Sequence, residues 1–256
     1  MKIVVFNVRR FFLYLLVLSV TIVVISAISL KGMNVLGVFS DGKEIPIYSV
    51  DVSEKLAAIT FDCAWGADDI PDILNTLKAA DIKATFFVVG QWAEKYPEII
   101  KMIAQDGHDI ANHSYSHLRM GSIDRAKMSN EIKQCSDVLE QLTGTKCELF
   151  RAPYGDYNNA LLLEARKQGC YTIQWDVDSL DWKPGISRSE IMQRINAKIR
   201  QGSILLFHND TPHTAKLLPE IIAGLKTKGY QFVPVSKLIK KDQYYIDEEG
   251  RQKNNT

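Results

Sequence analysis

The chain has 256 residues, enough for one large domain with a substantial core or for two small ones. Its 31 Lys and Arg stand against 30 Asp and Glu, so the net charge of +1 gives no electrostatic case for nucleic-acid binding. No low-complexity block or close internal repeat is visible.

The N-terminus differs from the rest. From Phe11 to Leu30 no residue is charged and nearly every one is apolar. At ~1.5 Å rise per residue such a helix matches the ~30 Å hydrocarbon core of a bilayer. Lys2, Arg9 and Arg10 precede the stretch and Lys31 follows it, which keeps the N-terminus in the cytoplasm and sends the rest of the chain outside. A cleaved signal peptide is the competing reading. Its apolar region is usually ~7–15 residues long and ends at a small-x-small site, which Ala27-Ile28-Ser29 supplies. The uncleaved transmembrane anchor is preferred.

Residues 1–31 are thus expected as a cytoplasmic stub and anchor, and 32–55 as a juxtamembrane segment. Pro46 and its apolar neighbours suggest an edge strand in the latter. From residue 56 an alternation begins. Apolar runs suited to buried strands lie at 56–62, 84–89, 109–112, 148–151, 171–177, 203–208 and 231–235. Helical periodicity marks 70–80, 97–105, 124–142, 159–168, 188–200 and 214–227. Asp124 is placed to cap the third helix, and glycines at 107, 144, 169, 202 and 229 sit just past helical ends. Strands alternating with helices predict an α/β fold with parallel pairing, closed as a barrel or open and doubly wound. This domain spans 56–240. Residues 241–256 are charged and polar and are expected as a solvated, mobile tail.

Four cysteines stand at 63, 135, 147 and 170 without a CxxC pair, so neither a zinc ribbon nor a redox motif is indicated. An exported domain can form disulfides, but spacing does not give their connectivity.

His113-Ser-Tyr-Ser-His117 places two imidazoles at i and i+4, close enough in a helical turn to grip one divalent metal. Alone it reads more readily as a polar loop with two solvated histidines. Other polar groups fall at the predicted C-terminal strand ends, where parallel α/β folds gather catalytic groups. They are Asp62-Cys63, Arg151-Ala-Pro-Tyr154, Asp178-Ser-Leu-Asp181-Trp182 and His208-Asn-Asp210. His108 and His213 read as structural, with His213 in a loop near the site. Asn112 is expected to bond to the site's backbone.

These five segments, in this order, resemble the NodB-type polysaccharide deacetylases of carbohydrate esterase family four. Within that family the chain is most similar to the membrane-anchored sporulation deacetylases of the PdaB type. The resemblance covers roughly residues 50–240. It implies a distorted (β/α)7 barrel, a divalent metal such as Zn2+, and hydrolysis of N-acetyl groups on peptidoglycan by the extracytoplasmic domain of a membrane protein. It assigns Asp62 as general base and His208 as general acid. Arg151 holds the base, and Asp181 orients and charges His208. The peptide N–H of Tyr154 helps to bind the oxyanion, Trp182 walls the pocket, and Leu206 lines the slot for the acetyl methyl. His113 and His117 are the metal-binding histidines.

The chain departs from the family at Cys63, where members with a well-formed metal site carry a second Asp. Three readings follow. Cys63 ligates zinc as a thiolate. Or its thiol points away, and two histidines hold metal weakly with help from Asp68 or Asp69. Or the site is empty and the protein is an inactive glycan binder.

Overall fold

A computed structural model describes residues 44–255. The expected anchor and stub lie outside them. Among the described residues no helix is long and apolar enough to cross a membrane.

The centre of the fold is β2 (Leu56–Cys63), buried along nearly its whole length. It pairs in parallel with β3 (Thr85–Val88) and with β8 (Ser203–His208). From β3 the sheet continues in parallel through β4 (Asp109–Asn112), β5 (Leu149–Phe150) and β6 (Tyr171–Thr172). Two short strands, β7 (Val177–Asp178) and β9 (Gln231–Phe232), pair with β8 and β2 respectively. The result is a half-barrel of parallel strands with helices outside, the architecture expected for connections of this length.

Alternation along β2 separates two apolar layers. Ala57, Ile59, Phe61 and Cys63 face outward and pack with residues of the surrounding helices. Ala58 faces inward with Phe87, Ala111, Ile173 and Ile204. Helix α1 (Ile70–Ala79) turns Ile70, Ile73, Leu74 and Leu77 to the outer layer. After the short α2 (Gly90–Lys95) and α3 (Pro97–Gln105), helix α4 (Arg125–Thr143) starts at Asp124, whose carboxylate accepts from the Lys127 N–H, and stops at Gly144 with φ +69°. Helices α5 (Asn159–Lys167), α6 (Arg188–Lys198) and α7 (Thr214–Thr227) follow, α6 opened by a Ser187–Glu190 capping box. The one-turn α8 (Val235–Leu238) closes the alternation.

Four expectations are corrected. Residues 171–177 do not form one strand: β6 leaves the sheet at Ile173, which bridges Ile47, and Asp176 turns its carboxylate to the Ile204 N–H. The helix Gly90–Lys95 was not marked by periodicity, being too short to show it. The segment 113–117 is a turn, not a helix, with positive φ at Ser114 and His117. Most of the 241–256 tail is structured. β10 (Tyr244–Ile246) and β11 (Arg251–Asn254) form a hairpin, and β11 pairs in parallel with β1 (Ser49–Val50). Strand β1 joins this hairpin to β8. Gln252 is fully buried, and its amide exchanges two hydrogen bonds with the Lys240 backbone. Charged composition concealed a strand whose backbone groups find partners on β1.

Candidate active site

The carboxyl ends of β2, β4, β5 and β8 bring the polar groups together. Asp62 and His208 are direct neighbours across the β2–β8 ladder. Period-two alternation turns Asp62 away from the outer layer that holds Phe61 and Cys63, toward the groups at the strand ends.

Asp62 is 6% exposed. Arg151, wholly buried, donates from Nη1 to Asp62 Oδ1 at 2.6 Å and to Thr60 Oγ1 at 2.9 Å. Its Nη2 donates to the Gln174 carbonyl, and the guanidinium lies 3.9 Å from the Phe87 ring centroid. Burial pushes the Asp62 carboxyl upward, but Arg151, with His113 and His208, holds it below its ordinary value of 3.8. Asp62 is therefore ionised at neutral pH, with its second oxygen toward the histidines.

His208 is anchored by Asp181, which is 1% exposed. Asp181 Oδ1 lies 2.8 Å from His208 Nδ1, and Oδ2 accepts from the His208 N–H at 2.7 Å and from the Thr214 hydroxyl. Burial opposes the imidazolium, but the Asp181 hydrogen bond and charge outweigh it and raise the His208 pKa above 6.5. Nδ1 is committed to Asp181, so Nε2 is the proton-bearing face offered to a ligand. Leu206 lies two residues before His208 on the same face of β8 and is 2% exposed.

His113 Nδ1 bonds the Arg151 carbonyl at 2.9 Å, which requires Nδ1–H and leaves the Nε2 lone pair 3.5 Å from Asp62 Oδ2. Burial lowers the pKa of His113, so this contact is not an ion pair. Burial pushes His117 down to about 4. The two rings sit 5.2 Å apart. Tyr154 places its hydroxyl 3.1 Å from His117 Nδ1, and its φ of +61° breaks the local helical turn. Tyr154 and Trp182 are more than half exposed.

The turn carrying both histidines is held by a residue that sequence reasoning missed. Glu131 on α4 is 5% exposed and accepts from the Tyr115 and Ser116 N–H groups and the Ser116 hydroxyl. Asn112 accepts from the Ser114 N–H and donates to the Ile132 carbonyl, the backbone role expected of it. The only available signal for Glu131 was a carboxylate at a helix position otherwise facing the core.

The metal donor set is incomplete. Two neutral imidazoles are suited to a divalent ion, but a catalytic zinc site normally takes three protein ligands. Cys63 does not supply the third. Its side chain is fully buried in the outer apolar layer, and burial raises its thiol well above the ordinary 9.0. Asp69 is tied to the Asp210 N–H, and Asp210 in turn accepts from the Gly66 N–H. Among the described residues no group of three His, Cys, Asp or Glu side chains is arranged to hold a metal. The thiolate reading of Cys63 is therefore corrected: the strand's alternation points residue 63 away from the histidines. All four cysteines are buried free thiols. His213 bonds the Ile186 carbonyl, and His108 accepts from the Ala84 N–H; both have structural partners.

The site thus sits on a parallel half-barrel, with Asp62 and His208 side by side at the ends of adjacent strands. Residues 49–173 match the family model described as polysaccharide deacetylase. The chain is 37% identical over 196 residues to a peptidoglycan-N-acetylglucosamine deacetylase of Bacillus cereus, covering 75% of this chain and 70% of that one. It is 33% identical over 195 residues to the uncharacterised protein YlxY of Bacillus subtilis, spanning 76% of this chain and 60% of YlxY. Among solved structures it resembles BA3943 of Bacillus anthracis, a CE4 family pseudoenzyme, with TM-score 0.73 and 30% identity over 82% of this chain and 73% of that one. A BA3943 mutant with restored enzymatic activity superposes equally well. The chain belongs to the polysaccharide deacetylase family.

Proposed function

We propose that this protein hydrolyses N-acetyl groups on cell-wall glycan, the N-acetylglucosamine or N-acetylmuramic acid units of peptidoglycan. The proposal places the domain outside the cell, on a single N-terminal membrane anchor, in a spore-forming cell. The observation that carries the reading is the pairing of Asp62 with His208 at the ends of adjacent strands, each held in its working charge state by a buried partner. Family membership supports it.

Amide hydrolysis needs an activated water, a stabilised oxyanion and a proton for a poor amine leaving group. Asp62, kept ionised and aimed by Arg151, takes the proton from water as it attacks the acetamide carbon. The Tyr154 N–H receives the developing oxyanion. His208, charged by Asp181, gives a proton to the departing nitrogen as the C–N bond breaks. Leu206 receives the acetyl methyl and Trp182 walls the sugar. No step is assigned to a metal, because the third donor is lacking.

The same lack favours a second reading, a glycan-binding protein of this fold that does no chemistry. Acetate release from N-acetylglucosamine and N-acetylmuramic acid oligomers decides between them. The enzyme reading expects release by the wild type and none by Asp62→Asn or His208→Ala, both folded by circular dichroism. Oligomer binding without release by the wild type would select the second reading.

A further inference from the structure

We propose that Trp65 and the groove beside it form a subsite for a further N-acetylhexosamine of the same glycan chain, outside the reacting centre. The inference rests on the glycan reading above but not on whether the site is catalytic.

Among the described residues, Trp65 is the most exposed large apolar side chain, at 66%. Such a ring in water has no stabilising role in the core, and it stands at the edge of a groove lined by further aromatic side chains. The backbone beneath it is fixed. The Gly66 carbonyl accepts from the Trp92 indole N–H at 3.0 Å and from the Asn209 amide, while the Gly66 N–H donates to Asp210. A Cβ at Gly66 would come within 2.7 Å of the Asp210 carboxyl carbon, so a larger residue there would displace the carboxylate that holds the Gly66 N–H. The backbone that carries the indole is thus held from both sides.

The groove beside it has a volume of about 610 Å³. Trp65, Trp92 and Tyr96 give it aromatic walls, and Gln91, Lys95 and Ser116 give it polar groups. That combination suits a pyranose ring, whose C–H faces pack on aromatic planes while its hydroxyls seek hydrogen bonds. The groove is continuous with the site: His117 and Tyr154 line it, and the His117 ring centroid lies 5.6 Å from that of Trp65. A glycan whose acetamide lies between Asp62 and His208 would therefore continue past His117 onto Trp65.

The test is calorimetric titration of the full chain with N-acetylglucosamine and with its tetramer, for the wild type, Trp65→Ala and Trp65→Phe. Trp65→Ala should weaken tetramer binding by about tenfold, the truncation cost of an aromatic anchor, and leave the monosaccharide unchanged. Trp65→Phe, which keeps a ring, should recover most of the tetramer affinity. Equal tetramer affinity in the wild type and Trp65→Ala would overturn the subsite and leave the glycan reading standing. Equal weakening of both ligands would overturn its separateness from the reacting centre. A wild type that binds no tetramer would overturn the glycan reading and the subsite with it.

Discussion

Arg151 and Asp62, from the ends of β5 and β2, share a 2.6 Å hydrogen bond with side-chain exposures of 0% and 7%. Removing either charge leaves the other buried and unpaired. Arg151→Met should therefore lose about 3–5 kcal/mol of unfolding free energy. Urea denaturation measures it, and a loss below ~1 kcal/mol would mean that the carboxylate is solvated or neutral when its partner is gone.

The charge states of Asp62 and His208 set a pH window. Catalysis by the pair needs Asp62 ionised, below whose ordinary 3.8 the carboxyl is held, and His208 protonated, which its raised pKa extends above 6.5. A bell-shaped kcat/KM profile is expected, with its alkaline limb above pH 6.5. Asp181→Asn should move that limb toward acid, because it removes the hydrogen bond and charge that favour the imidazolium. Stability follows the same linkage. The His208 contribution is full below its unfolded-state value and is lost as pH rises through the raised folded value. The stability gap between wild type and His208→Gln should shrink as pH rises above 6.5 through the raised folded-state value. A gap that widens would reverse the assigned shift.

Cys63 faces the apolar layer, so Cys63→Ser should leave metal stoichiometry and affinity unchanged. Its cost should appear in stability instead, at about 1–3 kcal/mol for a hydroxyl placed among apolar side chains. Elemental analysis after equilibrium dialysis against zinc, alongside thermal melting, separates the two effects. Loss of bound zinc in the mutant would restore the thiolate as a ligand.

Gln252 ties the C-terminal hairpin to the domain through its two bonds to Lys240. Gln252→Ala leaves the part-buried Lys240 N–H and carbonyl without these partners and should cost about 1 kcal/mol. Deletion of residues 241–256 should cost more, since β1 loses its β11 neighbour as well. Unchanged unfolding midpoints in both variants would return the segment to the status of a tail.

Several features were legible from the chain itself. Helical periods placed α3 at 97–105 and α7 at 214–227 with the bounds they have in the structure. Asp124 was readable as a cap because capping is a local bond between a side chain and the N–H three residues on. The C-terminal strands were not legible, since Arg251, Gln252 and Lys253 carry no apolar alternation. Their pairing is set by β1, about 200 residues earlier in the chain. Glu131 was equally hidden, because it acts on a turn that only the packing of α4 brings beside it.

The sequence by itself determined which chemical groups stand at the strand ends, and their order was enough to identify the family. The resemblance also marked Cys63 as the residue standing where the family pattern has a second Asp. Only the tertiary structure decided where that thiol goes. Asp62 and Cys63 are adjacent in sequence, yet a strand sends neighbouring side chains to opposite faces, one to Arg151 and His208 and the other into the helix-packed core.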